Sequence, residues 1–171
     1  HKAVAITDHG VLQAFPIANH CISMDEPFKI IYGVEGYFVD DLKKLVENAK
    51  GQSLRDRYVV FDIETTGFSP VHDEIIEIGA VKIENGEITD HYSVFVNPGR
   101  PIPVRITELT SIDDSMVEGA DDIETVMPQF LAFCEGCSLV AHNAQFDVGF
   151  IEEKAKNLGY HTDFTVLDTL Q

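Results

Sequence analysis

Tyr58-Val59-Val60-Phe61-Asp62-Ile63-Glu64-Thr65-Thr66-Gly67 is an apolar run that ends in two carboxylates one residue apart and then breaks at threonine and glycine. Its β-branched and aromatic content predicts a buried strand. Successive strand side chains alternate faces, so Asp62 and Glu64 point the same way, roughly 7 Å apart, while Ile63 faces the opposite layer. Two like charges beside an apolar strand repel, and one takes up a proton unless cations share them. The pair therefore suits metal ions. The plainer alternative is a strand end that displays two solvated acids.

Downstream of this strand, Glu74 to Ile83 reads as a second strand, and Asn85-Gly86 supplies a hairpin turn into a third from Ile88 to Val96. Three strands in an antiparallel meander are expected. Asn97-Pro98-Gly99 ends the third, and residues 103–119 read as short helices and loops. A helix spans Ala120 to Cys134, with Ile123, Val126, Met127, Phe130, Leu131 and Phe133 on its apolar side. Ser138-Leu139-Val140-Ala141-His142 is a short strand. It feeds Asn143-Ala144-Gln145-Phe146-Asp147, which opens a helix carrying Phe150, Ile151, Ala155 and Leu158. Asn143 and Asp147, at i and i+4, share a face of that helix, and Asp147 lies in the first turn, where the helix dipole favours a negative charge. Asn143 also fits the plain role of N-cap. Gly159 suits a helix C-terminus, and Phe164 to Leu167 forms a further strand reaching Asp168.

Upstream the signals start afresh. Ala3-Val4-Ala5-Ile6 is a strand, Gln13 to Met24 has helical spacing with Pro16 tolerable near a first turn, and Lys29 to Val34 is a strand ending at Glu35. Such a βαβ unit pairs its strands in parallel and gathers polar residues at their C-terminal ends. From Asp40 to Asp56 the sequence turns polar, with Lys43 and Lys44 among its charges, and predicts a short helix and a linker. The expected organisation is therefore a first domain over 1–50, a linker over 51–56 and a second domain over 57–171.

Composition bounds the function. A chain of 171 residues, 44% of them hydrophobic, can bury one good core or one core plus part of another. No run approaches the roughly twenty apolar residues of a membrane span, so no membrane partner is expected and the cytoplasm is the default location. A net charge of −17 argues against a broad basic surface for gripping phosphates, so any nucleic-acid contact must be local. Cys134 and Cys137 have Cys-x-x-Cys spacing, but no second pair of ligands accompanies them, and they read as small residues at a helix-to-strand junction. Both ends of the sequence look cut from something longer.

Asp62-Ile63-Glu64-Thr65-Thr66-Gly67, followed after a meander and a helix by Val140-Ala141-His142-Asn143-Ala144-Gln145-Phe146-Asp147, closely resembles the first two motifs of the DEDD 3′–5′ exonucleases. The resemblance implies an α/β fold with a ribonuclease H-like mixed sheet over residues 56–171. It also implies that Asp62, Glu64 and Asp147 are catalytic ligands of two divalent ions, magnesium or manganese, which activate water and stabilise the leaving 3′ oxygen. Backbone around Thr65 and Thr66, with Asn143 and Phe146, would hold the terminal nucleotide. Leu109 and Thr110 resemble the segment that lies against the terminal base, although Ser111 stands where that family has glycine. The family's third motif, with its fourth aspartate and in one branch a histidine base, lies further downstream than this sequence reaches. The stretch as written is accordingly expected to lack nuclease activity. His142 precedes the second motif and is not that base, and Asp168 is expected to end a strand.

The opening segment resembles a second family. Ala5-Ile6-Thr7-Asp8-His9-Gly10 and Ile31-Tyr32-Gly33-Val34-Glu35 look like motifs of the PHP domain, a metal-binding α/β barrel of histidinol phosphatases and bacterial replicative polymerases. That resemblance implies that His9 and Glu35 are ligands of a further metal, with Asp8 nearby. The family's first His-x-His pair is absent, so the segment represents a partial barrel. A partial PHP barrel running into a DEDD exonuclease is the arrangement of replicative polymerases with an inserted proofreading domain. The implied partners are DNA at a primer 3′ end, the rest of a polymerase chain and replisome components. The rival readings are a stand-alone nuclease trimming RNA, a non-catalytic docking module, and a phosphoesterase centred on the PHP segment.

Overall fold

The computed structural model describes residues 1–23, 25–37, 45–53 and 55–170. The expected short helix through Asp40, Lys43 and Lys44 lies largely outside the described residues. The chain forms two compact units, His1–Leu42 and Lys43–Gln171.

In the first unit, strand β1 (Ala3–His9) and strand β2 (Lys29–Glu35) pair in parallel, from Ala3 opposite Lys29 to His9 opposite Glu35. Helix α1 (Phe15–Cys21) connects them with Pro16 in its first turn, where the missing N–H has no helical partner to lose. The expected βαβ unit is present, with a shorter helix than the spacing predicted.

The second unit is built on a six-stranded mixed sheet. Its strands are β3 (Val46–Glu47), β4 (Tyr58–Thr65), β5 (Ile75–Glu84), β6 (Glu87–Phe95), β7 (Ser138–Ala141) and β8 (Val166–Asp168). They lie in the order β3-β8-β7-β4-β5-β6. The opening strand of the sequence, β4, is central: β5 and β6 extend an antiparallel meander on one side, and β7 then β8 run parallel on the other. This is the predicted mixed sheet. Asn85 and Gly86 both take positive φ, the pattern a tight two-residue hairpin needs to match strand twist.

Residues 46–52, grouped in the sequence reading with the first domain and its linker, belong to this second unit. Val46–Glu47 pairs antiparallel to β8, and Gln52 Nε2 donates to Thr165 Oγ1 at 2.8 Å. Two paired residues are too short a run for periodicity to reveal, which is why the polar stretch read as a linker.

The remaining helices are α2 (Val104–Thr110), α3 (Asp114–Val117), α4 (Ile123–Cys134) and α5 (Ala144–Asn157). Asp113 and Asp122 cap α3 and α4 by accepting orphan N–H groups of their first turns. The inward face of β4, Val59, Phe61 and Ile63, packs in one buried cluster with Val126, Met127 and Phe130 of α4 and Phe150 and Ile151 of α5. A register shift in β5 lets both Ile75 and Ile78 join that cluster and turns Ile76 into a second, with Ile102, Ile106, Ile112 and Val117. Among the described residues no helix is long and apolar enough to cross a membrane.

Candidate active site

The core-facing alternation of β4 leaves its other face to Val60, Asp62 and Glu64, so the two acids share one side as their spacing required. Asp62 stands opposite Gly79, and Glu64 directly opposite Glu77, just before the register shift between β4 and β5. Shifts of this kind bend a strand and re-aim its side chains, and they recur beside functional sites.

Asp147 joins them from the first turn of α5. It is 2% exposed, and its Oδ1 accepts the backbone N–H of Ile63 at 3.2 Å, between the two β4 acids. Burial, with the charge of Asp62, pushes the Asp147 carboxyl up to about 6, against the Ile63 hydrogen bond that favours its charged form. Burial also raises Glu64, helped by Asp62 and then Glu77. Carboxylates that raise one another's affinity for protons feel one another's charge, and a cation between them would relieve it. All three donors are hard oxygens, which fits divalent ions such as magnesium or manganese. Among the described residues no three His, Cys, Asp or Glu side chains are drawn tightly enough to hold one ion.

The segment following β4 folds back on itself. Thr66 is 1% exposed; its N–H donates to the Glu74 carbonyl at 2.8 Å, and its hydroxyl accepts from the Glu74 N–H and from Arg100 Nη2. Thr65 Oγ1 donates to the Gly67 carbonyl at 2.6 Å. Both threonine side chains are committed to shaping this loop, whose backbone is the part expected to meet a nucleotide. Asp73 completes it by accepting the Ser69 N–H at 3.0 Å.

Asn143 takes left-handed geometry, φ 62°, and caps α5 without a side-chain hydrogen bond. Its N–H donates to Asp168 Oδ1 at 3.0 Å and the residue is exposed, so it holds the N-cap position without its side chain doing the capping. Phe146 packs at 5.1 Å between ring centres from Phe150 and edge-on at 6.3 Å from Phe68. Phe68 is 73% exposed and was missed by the sequence reading; its only signal there was an aromatic residue directly after the Gly67 turn.

Leu109 is 72% exposed on α2, whereas Thr110 Oγ1 donates back to the Ile106 carbonyl and accepts the Ile112 N–H. Ser111 adopts φ 64° at the end of α2, its N–H bonded to the Thr107 carbonyl. The loop thus takes a shape that favours glycine while carrying serine. His142 Nδ1 lies 3.0 Å from Thr169 Oγ1, and Asp168 ends β8. Burial pushes the Cys134 thiol up to about 12, which leaves it without thiolate reactivity. In the first unit, His9 Nδ1 and Glu35 Oε2 lie 2.7 Å apart at the ends of the paired strands.

A model of the RNase_T exonuclease family matches residues 59–171. The chain is 58% identical over 171 residues to a DNA polymerase III PolC-type from Caldanaerobacter subterraneus subsp. tengcongensis, and 54% identical over 170 residues to one from Clostridium perfringens. A third, from Bacillus subtilis, is 44% identical over 181 residues. These matches cover 99–100% of this chain but 12% of each relative. Among solved structures, a product-bound exonuclease I superposes with TM-score 0.60 at 12% identity, over 67% of this chain and 30% of that one. E. coli exonuclease I in complex with a dA16 oligonucleotide gives TM-score 0.57 at 12% identity, over 61% and 24%. At that identity the likeness concerns the fold.

Proposed function

The chain belongs to the exonuclease family whose model spans residues 59–171, and from that premise we propose that it is the 3′–5′ proofreading portion of a PolC-type bacterial replicative polymerase. It hydrolyses the terminal phosphodiester of a primer 3′ end and releases nucleoside monophosphates. The observation that carries this reading is the buried Asp147 carboxylate, held on the Ile63 N–H between the two acids of the central strand.

In this reading Asp62, Glu64 and Asp147 hold two divalent ions, magnesium or manganese. Ions bound there supply charge for the scissile phosphate and the departing 3′ oxygen, and acidify the attacking water. The protein's own groups do the rest. Burial of Asp147 keeps water from one side of the carboxylates, and the Ile63 N–H fixes the direction of its oxygen. Asn143, exposed and unspent on capping, contacts the terminal nucleotide. Phe146 and its neighbour Phe68 offer ring faces to the unpaired base, and Leu109 lies against it. Thr65, Thr66 and Thr110 act by shaping their loops rather than by donating hydroxyls to substrate. An acidic protein handling DNA in this way relies on the ions and on the rest of a polymerase chain for its grip on phosphates.

The same reading takes the first unit as a partial PHP barrel, with His9 and Glu35 as its metal ligands, in a polymerase that works with replisome components in the cytoplasm. Parallel strands with a histidine and a glutamate side by side at their C-terminal ends favour it.

The test uses a polymerase of the relatives' full length that contains this chain. It is expected to release monophosphates from a mismatched primer end in magnesium, to stop in EDTA, and to lose that activity with Asp62→Ala while still extending paired primers. Equal cleavage by the Asp62→Ala protein refutes the assignment.

A further inference from the structure

Helix α5 carries a second charged side chain near the stripe that holds Asp147. Lys154 lies about two turns further on, its side chain 8% exposed, with Nζ 2.8 Å from Glu74 Oε2. Glu74 immediately precedes β5 and is bonded to Thr66 in both directions, N–H to hydroxyl at 2.9 Å and carbonyl from N–H at 2.8 Å. Thr66 directly follows β4, two residues beyond Glu64. A continuous path of contacts therefore runs from the middle of α5 through Lys154, Glu74 and Thr66 to the end of the strand that presents Asp62 and Glu64.

We propose that the Lys154–Glu74 ion pair is a positioning brace that holds α5 against β4 so that Asp147 meets Asp62 and Glu64 at the separation divalent ions require. The proposal rests on the exonuclease reading. The Ile63–Asp147 hydrogen bond pins α5 only at its first turn, and a helix pinned at one point can still pivot about it. A second anchor two turns along removes that freedom. The packing of Phe150 and Ile151 resists separation of helix and sheet but specifies direction weakly, whereas an ammonium held by one carboxylate specifies both distance and direction. Without ions the three acids push α5 away from β4, so the brace acts where that repulsion is felt. Neither Lys154 nor Glu74 touches substrate or metal in this scheme; both act through Asp147.

The test measures Mn2+ binding to the full chain by electron paramagnetic resonance, beside the Tm of each variant. In Lys154→Met/Glu74→Leu, an apolar pair fills the space of the ion pair, a replacement that commonly keeps stability. Its Mn2+ dissociation constant is expected to rise about tenfold with Tm retained, the size seen when a group that orients a ligand is lost, while Lys154→Arg stays within about twofold of the parent. Binding equal to the parent in the folded double variant, alongside weakened binding in Asp62→Asn, overturns the brace and leaves the exonuclease reading standing. Binding that Asp62→Asn does not weaken overturns that reading too. Should the double variant unfold, Glu74→Gln is measured in its place: weaker Mn2+ binding supports the brace and unchanged binding overturns it.

Discussion

Asp147 Oδ1 accepts the backbone N–H of Ile63 at 3.2 Å, a contact between residues 84 positions apart in the chain. It sets a buried acid from α5 beside the central strand, between two acids of that strand. An acid in this position carries a cost that metal ions remove, and the cost is measurable without them.

Asp147 has its folded pKa raised to about 6, mainly by burial and then by Asp62. Its unfolded value is near 3.9. Below both values the group is protonated in each state and costs nothing. As pH rises through this window the folded state holds the proton longer than the unfolded one, so stability falls until the folded carboxyl also ionises. Asp147→Asn, which keeps an oxygen for the Ile63 N–H, should therefore raise the unfolding free energy in EDTA by about 2 kcal/mol near pH 8, and by almost nothing near pH 4. Urea denaturation at the two pH values checks it. Added Mn2+ should stabilise the parent alone and narrow or reverse the difference.

Gly67 leaves no room for a side chain, because a Cβ there would press into the Asp73 carboxylate that accepts from Ser69 and pairs with Arg100. Gly67→Ala should cost roughly 1–3 kcal/mol through that overpacking. It should also loosen the loop that closes on Thr66, seen as faster amide exchange over residues 66–74 than in the parent, with β4 unchanged.

Ser111 pays for its left-handed φ of 64° at the end of α2. Ser111→Gly should stabilise the protein by about 0.5–1 kcal/mol, since glycine adopts that geometry without a Cβ clash. Thermal unfolding reads the gain, and a drop in Tm would show that the serine side chain contributes something its contacts do not reveal.

Tyr92 packs its ring against Phe130 and Phe133, but its hydroxyl is buried without a partner among the described residues. Tyr92→Phe keeps the ring and deletes the orphan oxygen. It should be neutral or stabilising by up to about 1 kcal/mol. Destabilisation in a denaturant melt would count against an unpaired hydroxyl.

Much of this protein was legible in its residues, because the relevant interactions act over a few positions. Alternation alone put Asp62 and Glu64 on one face of β4 and Val59, Phe61 and Ile63 on the other. Asn85-Gly86 announced the hairpin, and the apolar spacing around Phe150 announced α5. Local geometry has few options per residue, so composition and period select among them.

What only the tertiary structure decided comes from contacts between distant segments. The fold buries the Thr66 side chain in a network with Glu74 and Arg100, and leaves Asn143 exposed at the N-cap of α5 with no side-chain capping bond. The membership of Val46–Glu47 in the sheet and the approach of Phe68 to Phe146 have no local signature. Lys154, an ordinary helical lysine by sequence, becomes a buried cation on Glu74. The sequence by itself determined which acids share a strand face; the collapse of the helices onto the sheet brought the third acid to them, because burial and charge pairing depend on neighbours that chain order does not specify.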